Sequence, residues 1–160
     1  MPKTKKLSQV GEFGWLKKLL PRLFWPSSLS HQLVIGPGDD AGALRLTRGH
    51  VLVATTDAMV EGIHFERQWF SWGDLGEKIM AMNLSDLAAM GAVRPLAVLV
   101  TAGFPGDTSV TSVDKFYKGL DKCARRWNVG SSIPLFYGRY RTDKYCSRDY
   151  PRTPMCDPSM

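Results

Sequence analysis

Asn83-Leu84-Ser85-Asp86-Leu87-Ala88-Ala89-Met90-Gly91-Ala92 is an apolar, small-residue stretch with one carboxylate at its middle. Upstream, Ile79 and Met82 continue the helical spacing through Asp86 to Met90, which predicts a long helix starting near Asp74. Asp74 with Glu77 fits a capping box in which Asp takes the Ser/Thr role. Gly91 is the natural stop, and Pro95 marks the exit. A charge amid apolar residues is costly to bury unless a cation meets it. No Lys or Arg lies within four residues of Asp86, so the helix offers no i±3 or i±4 partner. Asp86 therefore faces water at a rim, or it faces a bound cation.

The flanking segments place this helix in a fold. Downstream, Leu96 to Thr101 reads as an apolar strand and Gly103 to Asp107 as a loop. A second helix spans about Ser112 to Trp127, with Phe116, Leu120, Ala124 and Trp127 on one face. Upstream, Ala43 to Thr47 and Val51 to Thr56 read as strands around an Arg48-Gly49-His50 turn. Val51 to Ala54 is continuously apolar, which predicts a central strand covered on both faces. It ends at Thr55-Thr56-Asp57, and strand ends are where sites gather in such sheets. Gly11 to Phe24 reads as an amphipathic helix. Phe13, Leu16, Leu19 and Leu20 form its apolar stripe, Lys17 and Lys18 lie outside it, and Pro21 ends or kinks it. It packs on the domain, or it lies on a membrane surface. Pro26 to Ser30 is a loop. The order strand, strand, helix, strand, helix predicts an α/β fold of the α+β type, a mixed sheet with helices on one face.

At 160 residues the chain suits one domain. Its net charge of +6 comes largely from the two ends, and the middle, which holds the acidic motifs, is near neutral. Residues 1–10 read as a basic, disordered start. The basic residues are not interleaved with a nucleic-acid reader motif, so nucleic acid is not an expected partner. The three cysteines, Cys123, Cys146 and Cys156, are too widely spaced for a zinc pattern and odd in number for a disulfide framework. Lys17 and Lys18 interrupt the apolar run that follows the basic start, which argues against a signal peptide. No apolar run approaches the ~20 residues of a membrane span. A cytoplasmic protein without a membrane partner is the expectation.

Three acidic motifs carry the chemistry: Gly36-Pro37-Gly38-Asp39-Asp40, Thr55-Thr56-Asp57, and Asp86. Each has a plain reading by itself, as a turn, a cap and a rim residue respectively. Taken together, their hard oxygens suit Mg²⁺, which binds through few carboxylates and keeps waters for substrate phosphates.

The whole set resembles the thiamine-monophosphate kinase family. The resemblance rests on Gly11-Glu12-Phe13, Gly38-Asp39-Asp40-Ala41, Thr55-Thr56-Asp57, Val60-Glu61-Gly62-Ile63-His64-Phe65, the decapeptide from Asn83, and Tyr117-Lys118-Gly119-Leu120. It spans about residues 11 to 130, in the family's order. It implies the amino-terminal, ATP- and Mg²⁺-binding and dimerising domain of a fold like that of aminoimidazole ribonucleotide synthetase. It further implies ATP-dependent phosphorylation of thiamine monophosphate to thiamine diphosphate by a dimeric enzyme with several Mg²⁺. Carried over residue by residue, Asp40, Thr55, Thr56, Asp57 and Asp86 match metal ligands, His64 a substrate contact, and Tyr117 an ATP contact. Selenophosphate synthetase and hydrogenase maturation factors are cousins; the decapeptide and Gly62-Ile63-His64-Phe65 argue against them.

The chain departs from that pattern after Gly130. Residues 131–160 hold four of the five tyrosines, two of the three cysteines and four prolines, with no sustained apolar period. The family's Gly-Gly-Asp-Thr turn does not follow, nor does its second domain. An irregular tail translated out of frame is the expectation, and a dimerising or nucleotide-binding fragment without turnover is the alternative to an active kinase.

Overall fold

The computed structural model describes residues 4–36, 43–92 and 94–136, with backbone alone at 12, 13 and 131–136. Two long helices dominate it: α3 (Trp72–Ala89) and α4 (Val110–Arg126). Before them come α1 (Leu7–Val10), α2 (Glu12–Leu19) and short 3₁₀ turns at Leu20–Arg22 and Ser27–Leu29. The strands are β1 (Leu33–Ile35), β2 (Ala43–Leu44), β3 (Ala97–Ala102) and β4 (Gly130–Phe136).

Helix α3 begins one turn earlier in its capping chemistry than the sequence pattern indicates. Ser71 is the N-cap: its hydroxyl accepts from the Asp74 N–H at 3.1 Å, and the Asp74 carboxylate accepts from the Ser71 N–H at 3.1 Å. Asp74 is thus the third residue of the box rather than its cap. The Ser71 hydroxyl, then the Ser71 N–H, hold the Asp74 carboxyl below the usual carboxylate range. At the other end Gly91 adopts φ 71°, and the N–H groups of Gly91 and Ala92 reach the carbonyls of Ala88 and Leu87, both at 2.9 Å. This is a Schellman closure at the expected glycine. Helix α4 closes in the same way on Asn128 (φ 53°), with the Val129 N–H on the Ala124 carbonyl at 2.9 Å.

The two helices cross in backbone contact. A Cβ on Gly119 would lie 1.9 Å from the Gly73 carbonyl oxygen, and one on Gly76 would lie 2.0 Å from that of Phe116. Around this crossing Met80, Leu120, Cys123, Ala124 and Val129 form one buried cluster, joined by Leu84, Val98 and Val100. Burial pushes the Cys123 thiol pKa up. A second cluster holds Leu7, Trp15, Leu19, Val113 and Tyr117. Val98 and Val100 of β3 face the helices, while Leu99 is 65 % exposed on the other side. The helices therefore cover one face of β3–β4, as expected for the α+β class. Among the described residues the strands form two separate pairs: β1 with β2, antiparallel, and β3 with β4, parallel around the α4 crossover.

Four expectations are corrected. The strand at Val51 to Thr56 is not formed; Val51 is 88 % and Leu52 57 % exposed. A strand needs a neighbour for its backbone groups and a layer over its side chains. Among the described residues neither reaches this segment, and β2 pairs with β1 instead. The start is ordered from residue 5 onward: Leu7 is buried, its N–H meets the Thr108 carbonyl, and the Val110 N–H meets that of Lys5. Burying Leu7 and pairing these amides offsets the loss of chain entropy. Trp127 is exposed at the helix end, and the buried stripe of α4 is Val113, Tyr117, Leu120 and Ala124. Residues 131–136 extend β4 along β3 rather than starting an irregular tail, because β3 offers them a free edge. Residues 137–160 lie outside the described residues.

Candidate functional site

The exposed half of α3 and the segment that follows β2 are stitched together at two points. The Thr55 hydroxyl donates to Asp86 Oδ2 at 3.1 Å. The Asp57 N–H donates to Asn83 Oδ1 at 3.0 Å. The spacing explains why one helix serves both. Three helical residues rise about 4.5 Å, and two residues of uncoiled chain cover about 6–7 Å. Asn83 and Asp86 lie on one face, so they meet alternate residues of the passing chain. The structure thus brings together two of the three acidic motifs, which are 31 residues apart.

The site is open to solvent. Thr55, Thr56, Asp57 and Asp86 are all exposed, and Asn83 is half-buried. Among the described residues no Lys or Arg pairs with Asp86. The carboxylate lies at a rim, where the hydroxyl of Thr55 donates to it and no cationic side chain among the described residues balances its charge. The donor set is two carboxylates and threonine hydroxyls, all hard oxygens, which fits Mg²⁺ and disfavours softer metals. Asp40 lies outside the described residues. Within them no group of three His, Cys, Asp or Glu side chains converges.

His64 stands in its own turn. Gly62 at φ 80° lets the chain reverse, so that the Gly62 N–H meets the Phe65 carbonyl at 2.9 Å and the His64 N–H meets the Val60 carbonyl at 2.8 Å. The Val60 N–H then donates to His64 Nδ1 at 3.1 Å. A backbone amide can only donate, so Nδ1 is the acceptor and the neutral ring carries its proton on Nε2. The exposed imidazole offers an N–H donor of fixed identity. No hydrogen bond joins it to the Thr55–Asp86 pair among the described residues. The following segment is pinned to α3 by Arg67 over the Trp72 ring at 4.1 Å and Lys78 over Phe70 at 4.7 Å.

Tyr117 sits elsewhere. It is 2 % exposed, with the Trp15 ring at 5.0 Å and the Phe116 ring at 5.4 Å. As described, it is a core residue with no open ring face for a nucleotide, because Trp15 of α2 covers it. Its hydroxyl is buried without a hydrogen-bond partner among the described residues. Sequence reasoning gave Asn83 no role. The available signal was its position one turn before Asp86, on the same face.

Residues 38–141 match the family described as AIR synthase related protein, N-terminal domain. The chain belongs to that family. Curated relatives of this AIR synthase related chain include thiamine-monophosphate kinase from Synechococcus elongatus, 36 % identical over 124 residues, covering 78 % of this chain and 35 % of the relative. The same-named protein of Bacillus subtilis is 31 % identical over 120 residues, covering 75 % of this chain and 35 % of its own. Among solved structures, thiamine-monophosphate kinase from Stenotrophomonas maltophilia superposes with a TM-score of 0.62 at 27 % identity, over 78 % of this chain and 38 % of that one. The chain spans about a third of the length of the curated relatives it matches. Among the described residues no helix is long and apolar enough to cross a membrane.

Proposed function

We propose that this chain is the Mg²⁺-binding, amino-terminal part of an ATP-dependent thiamine-monophosphate kinase that forms thiamine diphosphate. The observation that carries the reading is the contact of Thr55 with Asp86, which joins two separate oxygen-ligand motifs on one exposed face. The relatives' names supply the reaction.

In this reading Asp86, Asp57, Thr55 and Thr56, with Asp40, hold Mg²⁺. Mg²⁺ held there would supply neutralisation of charge on the phosphoryl group in transit. The protein's own part is positioning. Asp86 and Asn83 hold the Thr55–Asp57 segment in place, and the His64 Nε2–H donates to a phosphate oxygen of thiamine monophosphate. Transfer is direct and in line, with no side chain as nucleophile. The exposed apolar residues Val51, Leu52, Val60 and Ile63 are read as the surface covered by a second copy in a cytoplasmic homodimer. Tyr117 as an ATP contact would require α2 to move off its ring.

A second reading, a binding fragment without turnover, is favoured by the ligand geometry, since among the described residues no group of three His, Cys, Asp or Glu side chains converges. Incomplete coordination would lose much of the charge stabilisation that speeds transfer. Two measurements on this chain decide between them: Mn²⁺·ATP binding by paramagnetic resonance, and turnover of ATP with thiamine monophosphate. Binding that weakens in Asp86→Asn, with little turnover, is expected. Binding indifferent to Asp86→Asn overturns the metal site. Turnover equal to that of a two-domain relative overturns the fragment reading.

A further inference from the structure

We infer that Asn83 is a positioning residue: its side-chain amide holds the Thr55–Asp57 segment in register on α3 and so sets the metal-ligand geometry. The inference rests on the Mg²⁺ reading above for its consequence, and on the hydrogen bonds alone for its geometry.

Both ends of the Asn83 amide are used. Nδ2 donates to the Ile79 carbonyl at 3.0 Å, one turn back along the helix. Oδ1 accepts from the Asp57 N–H at 3.0 Å. The partners dictate the orientation, because a carbonyl can only accept and a backbone N–H can only donate. The amide is therefore locked, and Asp57 is held by its backbone rather than by its carboxylate. That leaves the Asp57 carboxylate available as a ligand. It also sets Thr55, two residues earlier, where its hydroxyl meets Asp86.

Asn is a poor choice for a helix interior, since its side chain competes with the backbone. Its place in the middle of α3 is accounted for by this tertiary bond. No other hydrogen bond holds the Asp57 backbone among the described residues. Residues 51–60 form no strand, so the two stitches to α3 are what keep them on the helix. A metal ion needs its ligands within a few tenths of an ångström, and a segment held by Asp86 alone pivots about one point.

The test uses the full chain and two readouts, site-resolved amide exchange at Asp57 and Mn²⁺ affinity by paramagnetic resonance. Asn83→Leu, similar in size, removes both bonds. It is expected to raise exchange at Asp57 about five- to tenfold and to weaken Mn²⁺ binding about tenfold, with helix content unchanged. Asn83→Asp keeps an acceptor for the Asp57 N–H and is expected to restore the slow exchange. A purely structural residue would shift stability without singling out Asp57. Exchange at Asp57 that is fast in the unaltered chain, or equal in Asn83→Leu, overturns the inference. Mn²⁺ affinity unchanged while Asp57 protection is lost overturns its link to the metal. Absence of Mn²⁺ binding in the unaltered chain would instead sink the kinase reading, and Asp57 exchange would still decide the clamp.

Discussion

Replacing Gly119 by alanine tests the helix crossing on which the whole domain depends. In an exposed helix interior the change stabilises by about 1 kcal/mol, because glycine is the poorer helix former. Here the new Cβ would lie 1.9 Å from the Gly73 carbonyl oxygen, 2.7 Å from its carbon and 2.9 Å from the Gly73 Cα. All three are backbone atoms that cannot rotate away. Restoring ordinary contact requires α3 and α4 to part by about 1 Å. A gap of that size forfeits about a quarter to a half of the dispersion energy of each separated pair. Met80 and Leu120, the buried contacts flanking the crossing, bear that loss. Overpacking of this kind costs about 1–3 kcal/mol, and more where backbone must move. With a cost at the upper end of that range, about 3 kcal/mol, set against the propensity gain of about 1 kcal/mol, Gly119→Ala is expected to destabilise by about 2 kcal/mol and to lower Tm by about 4–8 °C. Gly73→Ala is the control on the same interface. Its Cβ would meet only Ser71 Oγ at 3.7 Å and the Lys115 carbonyl at 3.8 Å, so it is expected to be neutral or stabilising by up to about 1 kcal/mol. Urea and thermal unfolding followed by circular dichroism at 222 nm measure both. If Gly119→Ala is as stable as the unaltered chain, or Gly73→Ala is as damaging, the backbone-contact account is wrong.

Three other outcomes are expected. Asp86→Asn should leave stability within about 0.5 kcal/mol, since the residue is exposed and the amide oxygen can still accept from Thr55, while Mn²⁺ affinity falls at least tenfold; urea unfolding reads the first and calorimetric titration the second. Asn128→Ala should cost about 1 kcal/mol because alanine resists φ 53°, whereas Asn128→Gly should be neutral or better, and denaturant midpoints give the order. Burial pushes the Tyr117 phenol well above its ordinary value of 10.0. Above that pH the unfolded chain releases the proton that the folded chain keeps. This contribution is therefore complete below pH 10 and lost as pH rises further. Tyr117→Phe should show a shallower alkaline decline and, at pH 7, a change of less than about 1 kcal/mol, because the removed hydroxyl has no partner among the described residues. A steeper alkaline loss in Tyr117→Phe would contradict the assignment.

Local chemistry explains what could be read from the residues and what could not. The C-terminal end of α3 was legible because its cap is set by a neighbour in the chain, the φ 71° glycine at position 91, whereas the Ser71 cap and the closure of α4 on Asn128 were not read from the residues. The bond between Thr55 and Asp86 was legible only as co-membership in a motif set, since nothing in either segment states how far apart they lie in space. Val51 to Ala54 misled for the opposite reason. Its apolar run reports what a partner layer would bury, and such a layer lies beyond the segment itself. The burial of Tyr117 was not legible, because motif membership does not tell which side of a helix α2 covers.

By itself, then, the amino-acid sequence determined the α+β class, the two long helices with the glycine that ends the first, and three motifs of hard oxygen side chains that include Asp86. These follow from periodicity, capping and side-chain chemistry, which act over a few residues. Only the tertiary structure decided that Gly73 and Gly119 meet backbone to backbone, that Tyr117 belongs to the core, and that Asn83 holds Asp57 by its N–H. Those relations depend on which surfaces the packed helices bring within 3 Å of one another, a distance set by close packing and not encoded in any local run of residues.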